Sequence, residues 1–243
     1  MRYLCLCTDY DGTLAHHGKV DEVTLDALKR LRESGRKLVM VTGREIDDLQ
    51  TVFEPLALFD LIVAENGAMI YRPATREERL LGEAPPPEFV AELRHRGVER
   101  LSVGRRIVAT WEPYEHIVLQ TIHDLGLELQ VIFNKGAVMI LPTGINKATG
   151  LTAALDELNL VASSAIGVGD AENDHAFLRL CGCSAAVANA LPALKAEADI
   201  ILSRDHGGGV TELIDELIEN DLATRESLVA RSRVQAEAGQ RTV

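Results

Sequence analysis

The segment CTDYDGTLAHHG, residues 7–18, places Asp9 and Asp11 two positions apart, directly after a short apolar run. Taken alone, aspartates beside a glycine are typical turn formers. The same pair could instead divide the work of a group transfer. One carboxylate would attack an electrophilic centre and the other would move a proton. The elements that position this pair decide between the two interpretations.

Short apolar runs alternate with segments of helical spacing along most of the chain. The runs at residues 4–8, 37–41, 61–64 and 165–168 predict strands, with further short strands expected near 185–187 and 199–202. Helices are predicted around residues 23–34, 46–53, 146–158, 172–180 and 210–219. This order predicts an α/β fold with a doubly wound, Rossmann-like parallel sheet between helices.

The middle of the chain has a different pattern. After three consecutive prolines at residues 85–87, a helix is predicted at 88–96, a strand pair near 102–111, a helix at 115–125 and a hairpin at 127–133 and 137–141. This αββαββ order predicts a smaller, antiparallel α+β module. We expect a core domain of residues 1–82 and 143–243 and an inserted domain of residues 83–142. The residues after Asp221 are polar and compatible with a helix, without a chemical signal.

Several polar side chains follow predicted strands and should meet at one edge of the sheet, where open parallel sheets bind ligands. They are Asp9, Asp11, Thr42 and Asp170, joined by Lys147 at the start of the helix after the insert. Crowded carboxylates repel one another unless a cation lies among them, and oxygen ligands suit Mg²⁺. A lysine, a hydroxyl and backbone N–H groups could cradle a phosphoryl group. The pattern therefore indicates phosphoryl transfer to a carboxylate.

Four segments resemble, in order, the four motifs of the haloacid dehalogenase (HAD) phosphatase superfamily. They are DYDGTL (9–14), VTGR (41–44), GINKATGL (144–151) and GDAENDHAF (169–177). ENGA (65–68) and the position of the insert resemble the branch with a C2-type cap. That branch includes Cof-like sugar phosphatases, sucrose- and trehalose-phosphate phosphatases and phosphomannomutase.

The resemblance implies a role for each matching residue. Asp9 would be the nucleophile and Asp11 the general acid and base. The phosphoryl group would contact Thr42, Lys147 and a backbone N–H of Gly43, and Asn173 would support the phosphoryl group or the metal shell. Mg²⁺ would be bound by Asp9, Asp170 and the backbone carbonyl of Asp11, while Asp174 would act through water or by orienting Lys147.

Structural roles remain open for several residues. Asn146 can cap its helix and leave Lys147 solvated, and Asp170 and Asp174 can favour a helix N-terminus. Arg44 fits either a substrate contact or the start of a surface helix. His16 and His17 fit the site entrance or a loop, and residues 207–209 fit an anion contact or a glycine-rich connector. In the insert, Trp111, Tyr114, His116 and Lys135 are candidates for substrate contacts, although two of them also fit a cap core and Lys135 a solvated hairpin tip.

The composition restricts the partners. A formal net charge of −12 argues against nucleic acid and anionic membranes. Apolar runs are only strand-sized and no signal peptide is evident, so we expect no membrane span and a cytoplasmic protein. The two C-x-C pairs are expected to be small core residues rather than zinc ligands or disulfides. The sequence is compatible with a monomer or a homodimer.

These observations predict an Mg²⁺-dependent phosphomonoesterase that acts through an aspartyl phosphate. The substrate would be a small phosphorylated metabolite, such as a sugar phosphate or a polyhydroxy acid phosphate. One alternative is a phosphomutase like phosphomannomutase, which returns the phosphoryl group to a sugar. Another is a non-enzymatic phospho-receiver, a class that lacks the D-x-D spacing and the insert.

Overall fold

The computed structural model describes residues 1–223 of the chain. The polar segment that the sequence analysis noted after Asp221 lies outside the described residues from residue 224 onward. Within the described part, the chain forms one large and one small sheet, with helices packed around both.

The large sheet has eight strands, and its centre is parallel. In chain order its strands are β1 (Cys5–Thr8), β2 (Lys37–Val41), β3 (Leu61–Ala64), β4 (Met69–Arg72), β5 (Glu77–Leu80), β10 (Ala165–Gly169), β11 (Cys183–Ala186) and β12 (Ile200–Ile201). Their order across the sheet is β12-β11-β10-β1-β2-β3-β4-β5. Strand β1 lies between β10 and β2, parallel to both, so the residues that follow these three strands share one edge.

Helices connect and cover these strands. They are α1 (Glu22–Glu33), α2 (Ile46–Val52), α5 (Lys147–Glu157), α6 (His175–Leu180), α7 (Pro192–Glu197) and α8 (His206–Asn220). Helix α1 packs against α8, and α5 packs against α6. The four residues of β1 and the four of β3 are all buried, as expected for strands covered on both faces. The doubly wound α/β fold is therefore confirmed.

The small sheet comes from the predicted insert and is antiparallel. Helix α3 (Pro87–His95) precedes β6 (Ser102–Val103) and β7 (Val108–Trp111), and helix α4 (Glu115–Asp124) precedes β8 (Leu129–Asn134) and β9 (Ala137–Pro142). The sheet order is β6-β7-β9-β8, and the elements follow the predicted αββαββ order. A separate apolar cluster that includes Phe89, Leu93 and Val118 fills the space between this sheet and its helices.

Two features of the large sheet and the helices that cover it differ from the expectation. Strands β4 and β5 extend it as an antiparallel hairpin, whereas the sequence predicted only parallel strands. The glycine run at residues 207–209 is not a connector, because it lies in the first turn of α8. There Gly207 packs closely on Thr24 and Gly209 on the Arg204 carbonyl, so the absence of side chains brings this helix against its neighbours.

Other composition-based expectations can be compared with the described residues. Cys5 and Cys7 are buried in the main core, as predicted, with their sulfur atoms 3.7 Å apart. All four cysteines are free. No helix among residues 1–223 is both long and apolar enough to cross a membrane.

Candidate active site

Three buried carboxylates meet at the carboxyl edge of the large sheet. Asp9 directly follows β1 and Asp170 directly follows β10, so the parallel pairing of these strands places both at the same edge of the sheet. Asp174 comes from the turn that begins α6. One oxygen of each carboxylate lies within 4.8 Å of one oxygen of the other two. The edge that topology predicted is therefore an acidic centre.

Lys147 holds two of these carboxylates together. Its Nζ donates to Oδ1 of Asp9 at 2.5 Å and to Oδ1 of Asp174 at 2.6 Å. The side chain is only 1% exposed, so it is not the solvated first-turn lysine that a capping role for Asn146 would allow. Asn146 nevertheless caps α5, accepting from the N–H groups of Ala148 and Thr149. Asn146 thus fixes the start of α5, and Lys147 is the first residue of that helix.

A glycine permits this close approach. A Cβ on Gly67 would lie 1.9 Å from the backbone oxygen of Asn146, so only glycine fits where the loop after β3 crosses the start of α5. The φ angle of Gly67 is 107°, which side-chain-bearing residues rarely adopt. Any other residue here would push away the helix turn that carries Lys147.

Asp174 has both oxygens engaged. Oδ1 accepts from Lys147, and Oδ2 accepts from the backbone N–H groups of Asp170 at 2.8 Å and Ala171 at 3.0 Å. This arrangement fits a residue that orients Lys147 and the turn after β10. The expected place of Asp174 at the metal, acting through water or through Lys147, stays a prediction.

Both carboxylate oxygens of Asp170 accept hydrogen bonds. Oδ1 accepts from the hydroxyl of Thr13 at 3.0 Å, and Oδ2 accepts from Nζ of Lys135 at 2.5 Å. Gly12 makes room for this arrangement, since a Cβ there would lie 2.4 Å from Oδ2 of Asp170. Lys135 belongs to the turn between β8 and β9, so the hairpin tip reaches the acidic centre rather than pointing only into solvent.

The electrostatics of the centre favour an additional cation. Burial, and then the neighbouring Asp174, raise the pKa of Asp9 from 3.8 to about 8, although Lys147 opposes them. Burial also raises the pKa of Asp170 against the effect of Lys135. Carboxylates crowded in this way ionise together more easily when a divalent cation lies among them. Three carboxylates within reach of one point provide the oxygen donors that Mg²⁺ prefers, so the donor set fits that ion.

Asp11 and Arg44 form a pair beside the centre. Nε and Nη2 of Arg44 donate to the two oxygens of Asp11 at 2.6 and 2.8 Å, and Nη1 donates to Asp48 at 2.5 Å. The side chain of Asp11 is 46% exposed, and its carboxylate is not part of the buried triad. The guanidinium of Arg44 is thus occupied by two carboxylates. Its expected contact with the phosphoryl group stays a prediction, and the geometry favours a role in holding Asp11.

The remaining predicted residues lie around the same edge. Thr42 directly follows β2 and is buried, with its hydroxyl accepting from the N–H of Arg44 at 3.1 Å. Gly43 and Asn173 line a cavity beside the acidic centre. Nδ2 of Asn173 donates to Oδ1 of Asn66 at 2.9 Å, while Oδ1 of Asn173 is buried without a hydrogen-bond partner among the described residues. Phosphoryl contacts by these three residues stay predictions.

A cavity of about 760 Å³ opens between the acidic centre and the small sheet. Its floor includes Asp9 and Asp11. The opposite wall comes from the predicted insert and includes Arg100, Ser102, Trp111, Asn134, Lys135 and Met139. Of the four residues singled out in the insert, Trp111 and Lys135 line this cavity. Tyr114 packs on the core of the small domain, and His116 is exposed and does not line the cavity.

Glu65 directly follows β3 and was not among the site residues predicted from the sequence. Its carboxylate is fully buried and accepts from the backbone N–H groups of Arg105, Arg106 and Ile107 at 2.9, 2.7 and 3.0 Å. These three residues form the turn between β6 and β7 of the small sheet. The ENGA segment drew attention to this position, but no sequence signal showed which backbone atoms the carboxylate would meet.

The two histidines of the loop after Asp11 form a stack with a third. The ring centres of His16 and His17 are 4.1 Å apart, and those of His16 and His206 are 4.4 Å apart. Nδ1 of His206 lies 2.8 Å from the carbonyl oxygen of Gly12. None of these histidines lines the cavity.

Comparison with known proteins identifies the family. A family model described as haloacid dehalogenase-like hydrolase matches residues 6–96 and 109–214. Phosphoglycolate phosphatase 2 of Saccharolobus solfataricus is 30% identical over 226 residues, which cover 90% of this chain and 94% of the relative. The phosphoglycolate phosphatase of Methanothermobacter thermautotrophicus is 28% identical and covers 86% of this chain and 96% of its own length.

Solved structures share the fold. A haloacid dehalogenase-like hydrolase from Bacteroides thetaiotaomicron matches with a TM-score of 0.74 at 19% identity, covering 88% of this chain and 99% of that one. The sucrose-phosphatase of Synechocystis, solved with sucrose and phosphate, matches with a TM-score of 0.66 at 22% identity, covering 89% and 98%. At these identities the likeness concerns the fold alone. With the family model and the curated relatives, it places the chain among the haloacid dehalogenase-like hydrolases, as a phosphatase of that family.

Proposed function

We propose that this phosphatase hydrolyses a small phosphorylated metabolite through a phosphorylated Asp9, with Mg²⁺ as its cofactor. One observation carries the proposal. Asp9 is fixed by Lys147 beside two other carboxylates, and it faces a cavity large enough for a small metabolite. A buried, immobilised carboxylate next to a lysine is suited to attack a phosphoryl group whose charge the lysine and a metal ion offset.

The chain's own residues suggest a two-step reaction. In the first step an oxygen of Asp9 forms a bond to phosphorus while the ester oxygen leaves with the electron pair of its bond and takes a proton from Asp11. In the second step Asp11 takes a proton from water as that water attacks phosphorus. The bond between the Asp9 oxygen and phosphorus then breaks, and this releases phosphate and restores the Asp9 carboxylate. Bound Mg²⁺ would offset negative charge on the phosphoryl oxygens and the carboxylates.

The roles of the metal-binding residues follow from which oxygens are available. Both oxygens of Asp174 and Oδ1 of Asp9 accept hydrogen bonds from the buried Lys147 or from backbone N–H groups, whereas Oδ2 of Asp170 accepts from Lys135, whose side chain is 45% exposed and can move away. Asp9 and Asp170 are therefore the side chains best placed to bind Mg²⁺ directly, with the backbone carbonyl of Asp11 as a third donor. Asp174 would hold Lys147, which keeps its charge because its two carboxylate partners raise its pKa despite burial.

We assign residues 83–142 to a cap that covers the site. Its wall of the cavity would keep bulk water out during the transfer to Asp9 and contact the leaving group. Thr42, Gly43 and Asn173 would complete the phosphoryl contacts from the floor.

The curated relatives are named phosphoglycolate phosphatases and one structural neighbour is a sucrose-phosphatase. We therefore propose phosphoglycolate as the first substrate to test and sugar phosphates as the second.

A panel of phosphorylated metabolites assayed with Mg²⁺ tests the function. The panel should contain phosphoglycolate, hexose phosphates and glycerol phosphates, and the readout is released inorganic phosphate. We expect release from at least one compound, and loss of release when Mg²⁺ is removed with a chelator. Migration of the phosphoryl group on a sugar without release would indicate a phosphomutase instead. Stable phosphorylation by acetyl phosphate without turnover would indicate a receiver.

A further inference from the structure

Lys135 and a divalent cation compete for the same carboxylate oxygen. Nζ of Lys135 lies 2.5 Å from Oδ2 of Asp170. The other oxygens of the acidic centre leave few alternatives, because Asp174 is fully engaged and Oδ1 of Asp9 is bound to Lys147. Two cations on one carboxylate oxygen repel each other strongly at such a distance. Oδ1 of Asp170 accepts from the hydroxyl of Thr13, and Oδ2 is the oxygen that Lys135 holds. A cation that binds Oδ2 of Asp170 must therefore displace the ammonium group of Lys135.

The displaced ammonium group has one open direction. Lys135 is at the tip of the β8–β9 hairpin, its side chain is 45% exposed, and it lines the 760 Å³ cavity. A lysine has a flexible four-carbon stem, so Nζ can swing away from Asp170 without movement of the hairpin. The ammonium group then faces the volume that the leaving group of a substrate would fill.

The acidic groups of the cavity wall are already engaged elsewhere. Asp11 and Asp48 are both held by Arg44, and Glu45 accepts from the hydroxyl of Ser102. Arg44 is for the same reason not a free cation. Among the described residues that line the cavity, the cations left for an incoming anion are Lys135 and, near the exposed rim, Arg100. Lys135 is the one next to the acidic centre.

We propose that Lys135 binds a carboxylate on the leaving group. A divalent cation releases Lys135 for this contact by replacing its ammonium group at Asp170. The preferred substrates are then phosphomonoesters of short hydroxy carboxylic acids, in which the carboxylate lies within a few bonds of the ester oxygen. This inference rests on the proposed phosphatase function and adds the residue that selects the substrate. It also sets an order in which cation binding precedes recognition of the leaving group.

Two matched substrates test the selectivity. Phosphoglycolate and 2-hydroxyethyl phosphate have leaving groups of the same length, but the first ends in a carboxylate and the second in a neutral hydroxymethyl group. The ratio of their kcat/KM values is measured for the parent, Lys135→Gln, Lys135→Arg and the control Arg94→Gln, which removes an exposed charge on α3 away from the cavity. We expect Lys135→Gln to lower the ratio about tenfold or more, the usual effect of losing a hydrogen bond between charged groups. Lys135→Arg should retain most of the ratio and Arg94→Gln all of it.

Isothermal titration calorimetry with Mg²⁺ alone gives a readout that needs no turnover. Removal of the competing ammonium group should make Lys135→Gln bind Mg²⁺ several-fold more tightly than the parent, whereas Arg94→Gln should match the parent. An unchanged substrate ratio in Lys135→Gln, or Mg²⁺ binding that is unchanged or weaker, overturns the inference. If the parent releases phosphate from other compounds of the panel but from neither ester, the inference about the carboxylate fails. If it releases phosphate from no compound of the panel, the proposed function fails, and the calorimetric result still decides whether Lys135 competes with the cation. Thermal unfolding of each variant checks that the substituted protein is folded.

Discussion

At the level of single residues, the two carboxylates of the DYD segment have opposite surroundings. Asp9 is buried and bound to Lys147, whereas Asp11 is half exposed and clamped by Arg44. A nucleophile benefits from a fixed position in a dry site, while a residue that donates and accepts protons needs contact with the leaving group and with water. The difference in burial thus supports the proposed division of labour.

Arg44→Gln should lower kcat about tenfold to a hundredfold with a smaller change in KM. The guanidinium orients the ionised carboxylate of Asp11, which is the form that takes a proton from water in the second step, and a misplaced base slows that step. Steady-state kinetics on the best substrate of the panel measure the effect. Asp48→Asn is the matched control, because Asp48 is exposed and binds the opposite side of the same guanidinium. A rise in KM and in the inhibition constant of phosphate, with kcat preserved, would instead support the predicted phosphoryl contact of Arg44.

The sequence predicted the residues on the floor of the cavity better than those on its opposite wall. Asp9, Asp170 and Lys147 could be placed because strand ends and a helix start fix their positions, and a parallel sheet brings those ends together. The contact of Lys135 with Asp170 depends on how a hairpin 35 residues away in the chain folds over the edge. Local patterns describe the hairpin but not the direction in which its tip points.

At the level of elements, the end of α8 is tied to the beginning of β1. The carboxylate of Asp221, which follows α8, accepts from the backbone N–H groups of Arg2 and Tyr3 and from Nη2 of Arg36. Arg36 precedes β2 and also donates to the carbonyls of Tyr3 and Leu217. These bonds fix the starts of β1 and β2, the two strands whose other ends carry Asp9 and Thr42.

Asp221→Asn should lower the free energy of unfolding by about 1 kcal/mol at pH 7, as expected for a partly exposed charged pair with backbone hydrogen bonds. Burial alone would raise the pKa of Asp221, but the hydrogen bonds from Arg2, Arg36 and Tyr3 outweigh it and lower the pKa. The stabilisation is therefore complete above the unfolded pKa of about 3.9 and disappears as the pH falls through the lower folded value. Asparagine tolerates the positive φ of 55° at this position, so the backbone is not strained.

Chemical denaturation of the parent and Asp221→Asn between pH 7 and pH 2 measures this difference. The two stabilities should converge at the acidic end. A gap that stays constant down to pH 2 would show that the ionised carboxylate is not its source.

Element boundaries show where the sequence pattern was insufficient. The run at 69–72 is buried as β4, but its partner β5 is entirely exposed and rich in charge, so its pattern did not indicate a strand. Its pairing with β4 through backbone hydrogen bonds, rather than burial of its side chains, makes it a strand. The glycines at 207–209 fitted an anion contact or a connector, but they lie in the first turn of α8, where close packing on its neighbours outweighs the low helix preference of glycine.

At the level of the whole molecule, contacts between the two sheets hold the small one over the site. Glu65 binds the β6–β7 turn through three backbone N–H groups, and Arg105 of that turn binds Asp47 and Glu78. A small apolar cluster that includes Ala68, Ile107 and Met139 lies at the same junction. The loop directly after β3 therefore holds the small sheet in place beside the cavity.

Glu65→Gln should destabilise the protein by about 2 kcal/mol and increase cleavage of the small domain in limited proteolysis. One oxygen would be replaced by an NH₂ group that faces backbone donors, which leaves buried donors unpaired. Denaturation curves and proteolysis rates measure the two effects. Glu78→Gln is the control, because it weakens only an exposed contact with Arg105 and should cost well under about 1 kcal/mol. Equal effects of the two substitutions would show that Glu65 does not hold the two parts together.

The central claim is that Asp9 carries the phosphoryl group, and rapid quenching of Asp11→Asn with p-nitrophenyl phosphate and Mg²⁺ tests it most directly. The nitrophenolate leaving group needs no proton, so the first step should proceed, while hydrolysis of the acyl phosphate should stall without Asp11. Peptide mass spectrometry of the quenched protein should find one phosphoryl group on Asp9, and none when Asp9→Asn is combined with Asp11→Asn. A phosphoryl group on another residue, or full Mg²⁺-dependent turnover by Asp9→Asn, would contradict the account.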